Sequence, residues 1–86
     1  MNTFDFSVST PDGCLFRGEV FSVSLRGANG DLAVLSGHIP FITTVKPCKC
    51  KIILPDGTEK FFNTESGILT VKKEKTTLLS GSIIEA

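Results

Sequence analysis

The side chains of this sequence that could do chemistry are one histidine, His38, and three cysteines, Cys14, Cys48 and Cys50. Histidine titrates near neutral pH and can act as a general base. Nucleophilic catalysis also needs a nucleophile and an orienting group beside that base. No nucleophile motif surrounds Cys14 or Cys48, and G-x-S-x-G is absent. We therefore predict that the chain is not an enzyme and that His38 is a loop residue, which hydrogen-bonds locally or contacts a partner.

The same four side chains are also zinc ligand types, three sulfurs and one nitrogen. Structural zinc loops usually place roughly two to four residues between paired cysteines. Cys48 and Cys50 are separated by one residue and alternate with Lys49 and Lys51. On a strand, this spacing points both thiols to one face, where cysteine behaves as a small apolar group. We predict core-facing thiols, no metal and no other cofactor.

The number of cysteines and the first residues of the sequence indicate the redox compartment. An odd count of three does not make a disulfide framework. The opening residues, MNTFDF, lack the apolar stretch of a signal peptide. The expectation is reduced thiols in a cytosolic protein.

Gly27 and Gly30 are spaced like part of a phosphate-binding loop. The segment lacks the Gly-Lys-Ser/Thr ending of a nucleotide loop, and no predicted helix follows it to hold an anion at its N-terminus. Asn-Gly is instead a strong turn pair. We predict that residues 27–31 connect two strands of a hairpin, and we expect no small-molecule ligand.

Composition excludes two further classes of function. The chain has 86 residues, enough for one domain, which we assign to 1–86. Nine basic residues balance nine acidic ones, whereas a nucleic-acid binder needs a basic excess. No apolar run approaches the roughly 18 residues needed to span a bilayer. We predict no nucleic-acid partner and a membrane association only through another protein.

The hydrophobic pattern has the period of β-strands almost throughout. Phe4, Phe6 and Val8 alternate with polar residues, and similar alternation recurs along the chain. Turn residues follow every eight to twelve positions, including two Pro-Asp-Gly triplets at 11–13 and 55–57. Residues 39–46 fit either the helix or the strand period, although their β-branched residues favour a strand. We predict an all-β sandwich or barrel of short strands without a substantial helix.

Residues 27–47 read G-A-N-G-D-L-A-V-L-S-G-H-I-P-F-I-T-T-V-K-P. This stretch resembles the motif of the epsilon subunits of F-type ATP synthases, which is roughly G-x-x-G-x-L-G-V-L-P-G-H-x-P-L-L-T-x-L-K-P-G. Residues 15–20, L-F-R-G-E-V, are similar to the family's F-x-G-x-V, and residues 66–71, S-G-I-L-T-V, to its G-G-I-L-E-V. The resemblance spans essentially the whole chain.

The sequence departs from the family at three small residues and in length. Ala33, Ser36 and Cys48 stand where glycine, proline and glycine are usual. The family's usual chain continues into a helical hairpin, whereas this sequence ends at Ala86, about where the β domain should end. Since the family uses that hairpin to inhibit ATP hydrolysis and, in some bacteria, to bind ATP, neither property is carried over to this chain.

The resemblance implies a flattened β-sandwich of about ten short strands in two sheets. It implies a non-catalytic subunit of the central stalk, or rotor, which couples the gamma subunit to the membrane c ring during ion-driven ATP synthesis. The complex would lie at the cytoplasmic face of a bacterial plasma membrane, with this chain bound peripherally. A free-standing β-sandwich that binds another protein is the alternative.

The resemblance also implies which residues contact each partner. The hairpin tip would meet the polar loops of the c ring through Ala28, Asn29, Gly30 and Asp31, with the Asp31 carboxylate facing basic or amide groups. The contacts to the gamma subunit would be Thr10, His38, Ile39, Phe41, Ile42 and Thr43. An interface of this kind leaves an apolar patch on the isolated domain. Ile39, Phe41 and Ile42 are the candidates for that patch, and for each of them burial in the core remains the alternative.

Overall fold

The computed structural model describes residues 2–86, which form ten β-strands and no helix. Met1, the first residue of the predicted 1–86 domain, lies outside the described residues. Residues 2–86 therefore contain no helix that could cross a membrane. The strands are β1 (Phe4–Thr10), β2 (Gly13–Val20), β3 (Ser22–Gly27), β4 (Gly30–Leu35), β5 (Phe41–Val45), β6 (Cys48–Ile53), β7 (Glu59–Thr64), β8 (Gly67–Val71), β9 (Lys75–Ser80) and β10 (Ile83–Glu85).

The all-β prediction is confirmed, including the segment whose period was ambiguous. Residues 41–45 form β5, which pairs antiparallel with β8 along its whole length. Two threonines and a valine, Thr43, Thr44 and Val45, occupy its second half, and β-branched side chains fit the pleated surface of a strand. The paired register therefore places the side chains of β5 alternately towards the core and towards solvent.

The strands follow one hydrogen-bonded path in the order β10-β7-β6-β3-β5-β8-β9-β1-β2, with β4 paired to β3 outside the path. Neighbours are antiparallel except β1 and β9, which are parallel. The path narrows between β3 and β5 to one residue pair, Gly27 opposite Val45. The sheet curls there, so that its two halves form the layers of the sandwich and remain connected at one edge.

The core lies between these two layers. Phe6 and Leu78 enter it from one layer, and Ile52 and Phe62 enter from the other. Phe16 of β2 joins the layers, since its ring centroid lies 6.4 Å from that of Phe6 and 6.2 Å from that of Phe62. Each large buried side chain contributes roughly 1.5–3 kcal/mol relative to exposure. Aromatic packing therefore holds the two ends of the strand path together.

The two Pro-Asp-Gly turns form as predicted, but different side chains cap them. In the second turn, Oδ1 of Asp56 accepts a hydrogen bond from the Thr58 N–H at 2.9 Å. In the first turn, the Asp12 N–H instead donates to Oγ1 of Thr10 at 3.2 Å. Gly13 and Gly57 take positive φ angles of 136° and 91°, which explains the glycine at the end of each triplet.

Candidate interaction surfaces

One outer face of the sandwich has two rows of uncharged side chains that cross four neighbouring strands. The register aligns the outward residues of β5, β8, β9 and β1 in two rows. Charged residues begin at the borders of these rows, where Arg17 pairs with Ser7 and Lys75 pairs with Asp5. We call this surface the apolar face; its residues are Ile42, Thr70, Thr77 and Ser7 in one row, and Thr44, Ile68, Leu79 and Ser9 in the other.

Three large aliphatic side chains stand exposed on the apolar face: Ile42 is 71% exposed, Ile68 48% and Leu79 50%. Ile68 and Leu79 are directly paired across β8 and β9, so their side chains form one continuous apolar surface. Beside them is a shallow depression of about 500 Å³, lined by Pro11, Ser66, Gly67, Ile68, Leu79, Ser80 and Gly81. A contiguous apolar surface of this kind is typical of a protein interface.

The predicted gamma contacts His38, Ile39 and Phe41 lie around the start of β5. Nδ1 of His38 is 2.9 Å from the Ile39 carbonyl oxygen, and the His38 ring centroid is 4.9 Å from that of Phe41. Ile39 is 78% exposed, whereas Phe41 is half-buried and packs against the core. Ile39 and Ile42, the two aliphatic residues predicted for the patch, are both exposed. Phe41 lies partly in the core and partly at the surface.

The other predicted gamma contacts do not all point the same way. Ile42 belongs to the apolar face, but Thr43 pairs with buried Leu69 on the inward side of β5 and is half-buried. Thr10 ends β1, which lies three strands from β5. The middle of the surface is formed by Ile68 and Leu79, which are not among the contacts predicted from the sequence. Their signal was adjacency: in Ile68-Leu69 and Leu78-Leu79, one apolar residue of each pair must point outward on a strand.

The predicted hairpin tip is present between β3 and β4, with Ala28, Asn29, Gly30 and Asp31 all exposed. Gly27 pairs with Gly30, so Ala28 and Asn29 are the central residues of the turn, and the Asn-Gly pair is not its centre. Gly30 takes a φ of 118°, while no non-glycine residue among 2–86 has a positive φ. In a turn centred on Asn-Gly, Gly30 would be the second central residue. Here Gly30 follows the two central residues and has its positive φ at that later position of the turn.

The Asp31 carboxylate already has a partner within the hairpin. Arg26 is its cross-strand neighbour, and Nε of Arg26 donates to Oδ1 of Asp31 at 3.0 Å. The Arg26 N–H donates to Sγ of Cys48 at 3.4 Å, and the Arg26 carbonyl accepts from the Lys46 N–H at 2.9 Å. The side chains of Arg26 and Asp31 are 58% and 79% exposed, so this ion pair stabilises the fold by about 0–1 kcal/mol.

The three thiols occupy three different environments. Cys50 is buried and Cys48 is half-buried against the core, as the alternation with lysine predicts, while Cys14 is exposed. Burial raises the pKa of the Cys50 thiol to about 12, with a smaller contribution from neighbouring Cys48. Cys50 is therefore protonated at neutral pH and unreactive as a nucleophile. Within residues 2–86, no group of three or more His, Cys, Asp or Glu side chains is arranged to hold a metal ion.

An exposed sheet face with two uncharged rows and a protruding polar hairpin are features typical of protein-binding domains. Residues 3–86 match the profile of the ATP synthase delta/epsilon chain β-sandwich domain. The chain belongs to this family, as the motif resemblance indicated.

A relative from Delftia acidovorans (strain DSM 14801 / SPH-1), an ATP synthase epsilon chain, is 37% identical over 84 residues. The alignment covers 98% of this chain but 61% of that protein, so the chain spans about three-fifths of its relative's length.

Two solved structures share the fold at low sequence identity. One chain of the Euglena gracilis mitochondrial ATP synthase, in an assembly of OSCP, F1 and c-ring, matches with a TM-score of 0.91 and 14% identity over 96% of this chain and 53% of that one. One chain of a central stalk and c-ring assembly of the Tetrahymena thermophila mitochondrial ATP synthase matches with a TM-score of 0.78 and 10% identity. This second match covers 96% of this chain and 66% of that one.

Proposed function

We propose that this chain acts in the central stalk of an F-type ATP synthase as a non-catalytic coupling piece. Its apolar face and the loop before β5 would bind the gamma subunit, and its hairpin tip would contact the c ring. It would turn with them at the cytoplasmic face of a bacterial plasma membrane, reaching the membrane only through the complex. Family membership and the bacterial relative support this assignment.

The observation that carries the proposal is the apolar face. Two rows of neutral side chains, with Ile42, Ile68 and Leu79 exposed, offer a flat surface from which water is readily displaced. A stable interface buries roughly 800 Å² on each partner. We therefore expect the interface with gamma to include residues at the rims of this face. Ile39 and His38 at one rim and Thr10 at another are suited to that border.

The proposed role demands stiffness, and the topology supplies it. Long-range strand pairing connects every part of the sandwich, and Phe16 bridges the two layers. The connections between strands are short, and five of the nine contain turn-forming proline or glycine. Short connections leave few soft dihedral angles. A domain of this kind transmits torque between two partners without storing much of the work in its own deformation.

The test is capture of purified gamma subunit by the wild-type chain and by Leu79→Asp. A charge at the centre of an apolar interface is desolvated without a partner, so we expect binding to weaken about thirtyfold or more. Ile84→Asp is the matched control, because Ile84 is 66% exposed on β10, in the other layer.

The two hypotheses from the sequence predict different results in this experiment. Binding of gamma by the wild type and by Ile84→Asp, with loss in Leu79→Asp, supports the stalk function. A stable wild-type monomer with no affinity for gamma would favour the free-standing binding module instead. Equal weakening in both variants would exclude the apolar face as the gamma site.

A further inference from the structure

A second surface lies beside the hairpin tip, on the layer that does not carry the apolar face. It is a groove of about 470 Å³ between the β3–β4 hairpin and β6. Arg26 and Asp31 line its hairpin side, Lys49 and Lys51 line its β6 side, and Leu25 and Cys48 are among its less exposed lining residues. We call it the cationic groove, because three of the nine basic residues of the chain line it.

The charges of the cationic groove do not cancel locally. Among residues 2–86, Asp31 is the one acidic residue that lines it, and it is paired with Arg26 at 3.0 Å. Lys51 reaches Glu59, which lies outside the lining, at 3.5 Å. The Lys49 ammonium lies 5.7 Å from the centroid of the Phe61 ring. Among the described residues, Lys49 forms no salt bridge to an acidic side chain. The groove therefore carries a net positive charge in a chain whose overall charge is zero.

The same contacts hold these cations in position. The Phe61 ring supports Lys49, Glu59 orients Lys51, and Asp31 orients Arg26 through its Nε, which leaves the terminal Nη groups free to donate. Leu32, Pro47 and Cys48 also line the groove and are not fully buried, so the groove offers apolar surface as well. A carboxylate on an aliphatic stem matches both features, with its oxygens on the cations and its methylenes on the apolar lining.

We propose that the cationic groove binds an acidic side chain on the c-ring loop that meets the hairpin tip. This inference rests on the proposed function and adds to it. The tip and the groove are continuous, since Asp31 belongs to both and is paired with Arg26 of the groove. The contact therefore uses charges of both signs. Asp31 faces a basic or amide group of the loop, and the groove beside Asp31 binds an acidic side chain. Such alternation sets the register of the partner on the hairpin as well as its affinity.

The test compares two double charge reversals for binding to purified c ring at several ionic strengths. Lys49→Glu/Lys51→Glu changes the groove, and Lys72→Glu/Lys73→Glu makes the same charge change in the exposed β8–β9 turn. We expect the groove variant to bind about tenfold or more weakly at low salt, with the difference shrinking as salt screens the charges. The turn variant should bind like the wild type. Lys49→Gln/Lys51→Gln avoids placing a glutamate beside Glu59 and should give an intermediate loss.

The native thiols supply an independent readout. Cys48 lines the groove, whereas exposed Cys14 lies on β2 in the other layer. Bound c ring should protect Cys48 of the wild type from a maleimide reagent and leave Cys14 labelled at its free rate.

Each outcome decides between the inference and the function on which it rests. Weaker binding of both groove variants, together with Cys48 protection, supports the acidic contact. Ring binding that is unchanged or tighter in both groove variants overturns this inference and leaves the stalk function intact. A wild-type chain that binds neither gamma nor c ring overturns the proposed function, and the inference with it.

Discussion

The apolar face and the cationic groove lie on different layers of one sandwich, and they are organised differently. On the apolar face, backbone pairing fixes short and branched side chains such as Thr77 and Ile68 in two rows. In the groove, long side chains are held by ion pairs and by an aromatic ring. An apolar surface gives affinity that depends little on salt, whereas charged groups give orientation and salt-dependent recognition. The difference suits the proposed function, in which the domain would hold one partner firmly and meet another in a defined register.

Gly67→Ala should have the largest effect on stability, because the apolar face depends on the close approach of β8 and β9. A Cβ at this position would overlap the backbone oxygen of Leu79 and lie 3.0 Å from the Ser80 Cβ. We expect the free energy of unfolding to fall by roughly 1–3 kcal/mol, measured by urea denaturation. Gly81→Ala is the matched control, since no atom of the described residues lies within 4 Å of its added Cβ. Equal stability of the two variants would contradict the close approach.

Ser80→Ala should have the next largest effect on stability. Ser80 is 4% exposed, and its hydroxyl oxygen lies 3.0 Å from the Ser66 carbonyl oxygen and 3.3 Å from those of Glu65 and Ser82. The hydroxyl thus ties the β7–β8 turn to the β9–β10 turn at the edge of the depression. Its loss should cost about 1–2 kcal/mol in thermal unfolding. Ser82→Ala, which removes an exposed hydroxyl, should cost much less; the reverse order would show that Ser80 is not the connection.

Asp31→Lys tests the polar side of the comparison. The substitution places a cation beside Arg26 and removes the carboxylate proposed for the ring contact, so binding to the c ring should weaken about tenfold. The melting temperature of the isolated domain should change little, since the exposed ion pair is worth at most about 1 kcal/mol. A loss of thermal stability that accounts for the whole effect would make Asp31 a structural residue.

The smallest effect concerns Asp56, which belongs to neither surface. The hydrogen bond from the Thr58 backbone N–H lowers the pKa of the Asp56 carboxyl below its ordinary value of 3.8. Its stabilising contribution is therefore present above that value and is lost as the pH falls through the lower folded-state pKa. Asp56→Asn should remove this dependence, so its melting temperature should approach that of the wild type in acid. Asp12→Asn is the control, because the Thr10 hydroxyl accepts the bond in that turn.

Much of the fold could be predicted because the information was local. Alternation predicted the strands, and the Pro-Asp-Gly triplets predicted two turns, since side-chain direction and turn chemistry depend on a few consecutive residues. The Arg26–Asp31 pair was also within reach, because a turn centred on Ala28 and Asn29 makes these two residues opposite neighbours. The Asn-Gly pair suggested a different turn centre and hid that register.

The apolar face and the cationic groove could not be predicted in the same way. Each combines residues from strands that are distant in the sequence, as β5, β8, β9 and β1 are on the apolar face. The parallel pairing of β1 with β9 brings Ser9 beside Leu79, although nothing in either segment specifies the other. Thr43 illustrates the converse, since it neighbours exposed Ile42 in the chain but faces the other side of the strand.

The amino-acid sequence by itself determined that this chain forms short strands, which of their residues alternate, and where the tight turns occur. Its 27–47 motif also identified the family to which it belongs. Only the tertiary structure decided that Ile42, Ile68 and Leu79 share one uncharged face, and that Arg26, Lys49 and Lys51 share one groove. The physical reason is that local preferences act over a few residues, whereas surfaces depend on strand order and register, which the cooperative burial of one core selects.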